Sequence, residues 1–80
     1  MANPVLYSGR FCPFCKRVEL FIRTKGLEDK VSKVLIDQDP QARQRLIEEG
    51  GKSQIPCLEH DGQWLYESKD IMAWLEKEYL

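Results

Sequence analysis

Two cysteines three positions apart, Cys12 and Cys15, are the residues of this 80-residue chain whose type and spacing indicate chemistry. They follow an apolar run at the start of a helical pattern, and a C-x-x-C pair at such a junction is typical of a thiol–disulfide redox site. The first amide groups of a helix are unpaired and its N-terminus is partly positive, so a thiolate is stabilised there. We therefore expect Cys12 to be the exposed, anionic nucleophile and Cys15, one turn further on, to be the buried resolving thiol.

The four residues Cys12-Pro13-Phe14-Cys15 match the C-P-[YF]-C site of the glutaredoxins, and the segment resembles that family. Pro13 suits the first helical position, because it has no N–H to leave unpaired. The resemblance implies a glutathione-dependent oxidoreductase in which Cys12 attacks protein disulfides and glutathione mixed disulfides. It also implies glutathione as co-substrate, disulfide-containing proteins as substrates, and no metal cofactor.

The elements that must position these thiols alternate along the chain. We expect strands over residues 4–8, 30–37, 57–60 and 63–66, the last two joined by a tight Asp61-Gly62 turn. We expect helices from Pro13 to about residue 25, from Asp39-Pro40 to Gly50-Gly51, and from a Ser68 cap onward. The apolar stripe of the second helix is predicted to contain Ala42, Leu46 and Ile47. This order, βαβαββα, predicts an α/β, thioredoxin-like fold: a four-stranded mixed sheet with helices on both faces.

A second part of the site is predicted where the third strand begins, at Gln54-Ile55-Pro56. Proline cannot donate to a sheet ladder and belongs at a strand start or edge. Ile55-Pro56 resembles the cis-proline pair that lies beside the C-x-x-C site in thioredoxin-like proteins. That resemblance implies that the Ile55 backbone pairs with a peptide-like ligand such as glutathione, with the Gln54 amide nearby.

A third part is predicted at the last helix, where Glu67, Ser68 and Asp70 stand together. Free N–H groups at a helix start attract an anion, and the two acids attract the ammonium group of glutathione. This segment resembles the glutamate–serine motif in the N-terminal domain of glutathione transferases. Arg10 is the candidate partner for the other carboxylate of glutathione; Lys16, Arg17 and Arg43 are either further cations of the site or solvated surface charges.

Composition limits the partners and the cellular compartment that we expect for this chain. The net charge is −1 and the apolar runs are short, so we expect no nucleic-acid or membrane partner. Three cysteines, an odd number, favour a reducing compartment, and the N-terminus lacks a secretory pattern; we expect a cytoplasmic protein. We expect residues 1–80 to form a single domain and the protein to be a monomer.

Other functions compete with this hypothesis. Cys12, Cys15, Cys57 and His60 have the two-by-two spacing of a zinc site, although Cys57 and His60 would point to opposite faces of a strand. An iron–sulfur cluster shared with glutathione is known among glutaredoxins, mostly with a single-cysteine site. The chain also resembles the N-terminal domain of a glutathione transferase, which carries a second, helical domain for its electrophile.

Overall fold

A computed structural model of the chain describes residues 3–80. Met1 and Ala2, where the predicted domain begins, lie outside the described residues. The elements follow in the predicted order, βαβαββα: β1 Val5–Ser8, α1 Pro13–Thr24, β2 Ser32–Leu35, α2 Pro40–Gly50, β3 Cys57–His60, β4 Gln63–Leu65 and α3 Ser68–Tyr79.

The four strands form one mixed sheet in the order β2-β1-β3-β4. Strand β1 pairs in parallel with β2 and antiparallel with β3, and β3 pairs antiparallel with β4. The β1-α1-β2 crossover explains the parallel pair, since a helix must carry the chain back to the starting edge. The turn between β3 and β4 has positive φ at Asp61 (49°) and Gly62 (83°), as the Asp-Gly sequence predicts.

The helices cover both faces of the sheet, as predicted. Helices α1 and α3 pack over one face, where Leu6 and Leu58 meet side chains such as Val18 and Ile71. Helix α2 covers the other face, where Leu46 packs with Tyr7 and Cys57, among others. Burial of both faces makes the sheet rigid. The loop after β1 and the loop before β3 therefore extend from a fixed support.

The sequence prediction is wrong in details of β2 and α2. Strand β2 is Ser32–Leu35 rather than 30–37, because its partner β1 offers only four residues for pairing. Ile47 is 44% exposed instead of belonging to the buried stripe of α2. Successive helical residues differ by about 100°, so Ile47 is turned away from the face on which Leu46 is buried.

No helix among residues 3–80 combines the length and the apolar character that crossing a bilayer requires.

Candidate active site

The chain turns from β1 into α1 at the two thiols. Cys12 is the N-cap residue of α1, with an extended backbone (φ −109°, ψ 114°), and Pro13 is the first helical residue. The Cys12 Sγ accepts a hydrogen bond from the Cys15 amide at 3.3 Å. Sulfur therefore occupies the position in which a serine or aspartate oxygen usually satisfies a free amide at a helix start. The first turn of α1 contains no acidic residue that would oppose a negative charge on the sulfur.

The Cys12 sulfur also reaches the loop before β3. Its thiol donates to the Ile55 carbonyl oxygen at 3.9 Å, and the Ile55-Pro56 peptide bond is cis, as expected. The Ile55 side chain lies against Gly9, where a Cβ atom would come within 2.6 Å of the Ile55 Cδ1. A side chain at position 9 would therefore require the end of the Ile55 side chain to move.

Cys15 differs from Cys12 in its surroundings. Its side chain is fully buried, whereas that of Cys12 is partly exposed. Burial raises the pKa of the Cys15 thiol to about 11, and its hydrogen bond with Cys12 acts in the same direction. Cys15 is therefore a protonated thiol at neutral pH. The sequence predicted this difference in exposure between Cys12 and Cys15; the roles of attacking and resolving thiol stay predictions.

A cavity of about 310 Å³ opens beside Cys12. Its walls come from the β1-α1 turn, the end of β2, helix α2 and the loop before β3. They are formed by Gly9, Arg10, Phe11, Cys12, Ile36, Asp37, Arg43, Ser53 and Ile55. Of the predicted site residues, the structure thus brings Cys12, Arg10 and Ile55 together around one open space. The candidate cation Arg43 joins them.

Sequence reasoning missed Asp37. Its Oδ2 accepts hydrogen bonds from the Arg10 Nε at 2.9 Å and from the Arg10 amide at 3.3 Å. These bonds hold the pKa of the Asp37 carboxyl below its usual range. Part of the Arg10 donor capacity is therefore already used. Arg43 forms no ion pair with any of residues 3–80 and is a cation of this cavity that a ligand carboxylate can reach.

Ile36 and Ser53 were missed as well, and no local pattern marks them. Ile36 reads as one more apolar residue of β2, and Ser53 lies in a polar loop. Only the pairing of β2 with β1 brings Ile36 to the cavity: its amide donates to the Ser8 carbonyl at 3.0 Å, just beyond the strand.

The remaining predicted glutathione residues lie outside this cavity. Gln54 is exposed and Pro56 is buried, and neither lines it. Glu67, Ser68 and Asp70 do not line it either. Their grouping at the start of α3 is confirmed, because Asp70 lies in its first turn.

The predicted cap of α3 is wrong by one residue. Glu67 is the N-cap (φ −93°, ψ 133°), and its carbonyl accepts the first helical hydrogen bond from Ile71 at 2.9 Å. Ser68 is then the first helical residue, and no side chain caps the helix. The amides at the start of α3 consequently lack a side-chain acceptor, which is the condition for anion binding at a helix end.

The structure does not assemble the four ligands of the zinc alternative. Cys57 is buried on the α2 side of the sheet, where burial raises the pKa of its thiol to about 12. His60 instead stacks on the Trp74 ring of α3, with centroids 4.0 Å apart. Within residues 3–80, no three His, Cys, Asp or Glu side chains are grouped closely enough to hold a metal ion.

The profile of the family described as "Glutathione S-transferase, N-terminal domain" matches residues 11–78. Protein IN2-1 homolog A of Oryza sativa is 36% identical over 77 residues, covering 92% of this chain and 30% of that protein. Glutaredoxin 3 of Escherichia coli K12 is 27% identical over 73 residues, covering 91% of this chain and 86% of that protein.

Among solved structures, glutathione transferase Omega 3C from Trametes versicolor superposes with a TM-score of 0.80 at 25% identity. The alignment covers 99% of this chain and 34% of that one. The chain spans about a third of the length of the first curated relatives that it matches. It spans most of the length of glutaredoxin 3.

Proposed function

Because the chain belongs to the glutathione S-transferase N-terminal domain family of thioredoxin-like proteins, we propose that it is a glutathione-dependent thiol–disulfide oxidoreductase with Cys12 as nucleophile. The family and its relatives support a glutathione-related redox role. The observation that carries the specific reaction is the Cys12 sulfur, which accepts the Cys15 amide at the start of α1 and borders an open cavity. We propose that Cys12 attacks as a thiolate, since the free amides at a helix start favour a negative charge, and the cavity leaves room for a second sulfur beside it.

The monothiol route uses Cys12 and glutathione. The Cys12 thiolate attacks the glutathione sulfur of a protein mixed disulfide; the new S–S bond forms as the old one breaks, and the protein thiolate takes a proton from water. A second glutathione thiolate then attacks the glutathione sulfur bound to Cys12. Oxidised glutathione leaves and the Cys12 thiolate is regenerated, so glutathione supplies both electrons.

The dithiol route adds Cys15. When Cys12 attacks a protein disulfide, the protein remains attached to Cys12 through a mixed disulfide. Cys15 gives its proton to water and attacks the Cys12 sulfur; the Cys12–Cys15 S–S bond forms as the Cys12–protein S–S bond breaks, and the protein sulfur leaves as a thiolate that takes up a proton. The raised pKa of Cys15 keeps it protonated in the resting enzyme, so it does not compete with Cys12 for the first attack.

Glutathione is proposed to lie along the cavity with its cysteine sulfur at Cys12. The Ile55 backbone, next to Pro56 and Gln54, would pair with the central part of the tripeptide. Arg43 and Arg10 would receive one carboxylate, and the uncapped amides of α3 with Glu67, Ser68 and Asp70 would receive the γ-glutamyl end. The structure supports this assignment most directly at Arg10, Arg43 and Ile55, which line the cavity with Cys12.

Cys15→Ser tests the division between the two routes. We expect the variant to reduce a glutathione mixed disulfide of a small thiol at a rate within about threefold of the wild type, because that route needs only Cys12. Reduction of a protein disulfide should fall by about a hundredfold or more, since the mixed disulfide is no longer resolved. Coupled assays with glutathione and glutathione reductase measure both. Loss of both activities in a folded variant would contradict the proposed role of Cys15.

A second candidate is the glutathione-binding domain of a transferase, which the matching profile and the longer relatives favour. In that case the Cys12 side of the cavity would hold glutathione for attack on an electrophile. Conjugation of glutathione to an aryl halide, followed by absorbance, separates the candidates: an oxidoreductase shows mixed-disulfide turnover without appreciable conjugation.

A further inference from the structure

Two aromatic rings beside the nucleophile are exposed. Phe11, directly before Cys12, is 88% exposed, and Phe14, two residues after it, is 57% exposed. Each ring is contacted by a guanidinium group: Arg10 lies 5.5 Å from the Phe11 centroid, and Arg17 lies 6.0 Å from that of Phe14. Large apolar side chains exposed together usually mark a surface that another molecule covers.

The charge around these rings is positive. Residues 9–17 contain Arg10, Lys16 and Arg17 and no acidic residue, although the whole chain has a net charge of −1. Arg10 forms an ion pair with Asp37 through its Nε. Lys16 and Arg17 form no ion pair with any of residues 3–80. The positive charge next to Cys12 is therefore local and available to a partner.

The two rings differ in their relation to the cavity. Phe11 lines the cavity, whereas Phe14, Lys16 and Arg17 do not; these three belong to the first turns of α1 and are exposed. We name Phe14 and Arg17, whose side chains lie together, the outer patch. A disulfide that reaches Cys12 has two halves, and the cavity and the outer patch offer each half a separate place.

We infer that the outer patch binds the protein half of the substrate, and that it selects cysteines flanked by acidic and apolar residues. This inference rests on the proposed function and names its substrate class. Phe14 offers apolar area, and Arg17 offers charge that an aspartate or glutamate complements. Because the Arg17 guanidinium lies over the Phe14 ring, the positive charge and the apolar surface are next to each other.

The chemical step in the test is a single exchange. Cys12 thiolate attacks the peptide sulfur of a mixed disulfide between a cysteine peptide and thionitrobenzoate. The Cys12–peptide S–S bond forms, the original S–S bond breaks, and coloured thionitrobenzoate anion leaves with the electron pair. The Cys15→Ser background stops the reaction at this stage.

Two peptides that differ only in charge are compared, one with Asp and Phe beside cysteine and one with Lys and Phe. At low ionic strength the acidic peptide is expected to release thionitrobenzoate about three- to fivefold faster, in line with one or two exposed charge pairs. The preference should decrease as salt is added. Arg17→Glu should abolish or reverse it, and Phe14→Ala should slow both peptides.

Arg23→Glu is the matched control, because it reverses an exposed charge in the last turn of the same helix; the preference should remain. Equal rates for the two peptides, or a preference that Arg17→Glu leaves intact, would overturn the inference. The thionitrobenzoate mixed disulfide of glutathione is measured in parallel. If it does not react at Cys12, the proposed function itself fails, so the two failures are distinguishable.

The outer patch could instead be covered by a second copy of this chain. Sedimentation at the assay concentration tests for this self-association. A monomer is expected. A dimer that Arg17→Glu dissociates would assign the outer patch to self-association and would overturn the inference.

Discussion

Helices α1 and α2 begin in the same way with different atoms. Each has an extended N-cap residue followed by proline: Cys12-Pro13 and Asp39-Pro40. The Asp39 Oδ1 accepts from the amides of Gln41 and Ala42 at 3.1 and 3.2 Å. The Cys12 Sγ accepts from the Cys15 amide at 3.3 Å. The same backbone position that stabilises a carboxylate in α2 thus holds a sulfur in α1.

The difference shows what the helix start contributes and what it does not. Both N-termini provide free amides and a partial positive charge to an anion. The aspartate uses them for stability alone, because a carboxylate has no exchange chemistry of its own. The sulfur gains chemistry because a cavity and the Ile55 carbonyl lie next to it and a buried thiol lies one turn away.

The largest effect is expected for substitution of Cys12, which separates its capping of α1 from its role in disulfide exchange. Cys12→Ser should reduce mixed-disulfide turnover at least about a thousandfold, because a hydroxyl cannot form the covalent intermediate. The serine oxygen still caps α1, so the free energy of unfolding should change by less than about 1 kcal/mol. Turnover assays and urea unfolding measure the two quantities. Retained turnover would remove Cys12 from the mechanism.

The corresponding substitution in α2 removes its N-cap carboxylate, Asp39. Asp39→Ala should lower the free energy of unfolding by about 1 kcal/mol, within a range of roughly 0.5–2, because two amides lose their acceptor. Turnover at Cys12 should be unaffected, since Asp39 does not line its cavity. Asp39→Ser is the matched control and should recover most of the stability. A loss of turnover with unchanged stability would contradict the comparison.

The two buried thiols predict that the free energy of unfolding depends on pH, with an effect similar in size to that of Asp39→Ala. The pKa values of Cys15 and Cys57 are raised from 9.0 to about 11 and about 12, mainly by burial. A raised folded-state pKa contributes stability that is complete below the unfolded pKa and is lost as the pH rises toward the folded one. Stability should therefore begin to fall near pH 9 and continue to fall toward the folded pKa values, by about 1 kcal/mol per pH unit for each thiol.

Urea unfolding across that pH range measures the slope, and Cys57→Ala should make it shallower while Cys15 continues to contribute. A slope identical in the variant would show that Cys57 does not titrate in this way.

The smallest effect on stability is expected at the third helix start. Ser68→Ala should change the free energy of unfolding by less than about 0.5 kcal/mol, since no side chain caps α3. If Ser68 holds glutathione as proposed, the KM for glutathione should still rise. Comparing KM with unfolding in one variant thus separates a ligand role from a capping role, and an unchanged KM would count against the ligand role.

Local patterns predicted the parts of the site that are local. Cys12, Cys15 and Pro13 are arranged by one turn of helix, and Asp61-Gly62 by one tight turn, so neighbours in sequence sufficed. The role of Arg10 could be predicted only in part, because its ion pair with Asp37 joins residues 27 positions apart. Ser68 was misplaced because capping depends on which residue takes the extended conformation, and here that residue is Glu67, whose type does not favour the N-cap position.

The sequence by itself determined the order of the elements, the type of each and the identity of the two thiols, since these follow from periodicity, turn residues and helix-start chemistry. Only the tertiary structure decided the length of β2, the outward direction of Ile47 and the cavity in which Asp37, Ile36 and Ser53 meet Cys12. The physical reason is that strand pairing and packing join segments far apart in the chain. No local preference specifies which side chains those contacts leave facing an open space.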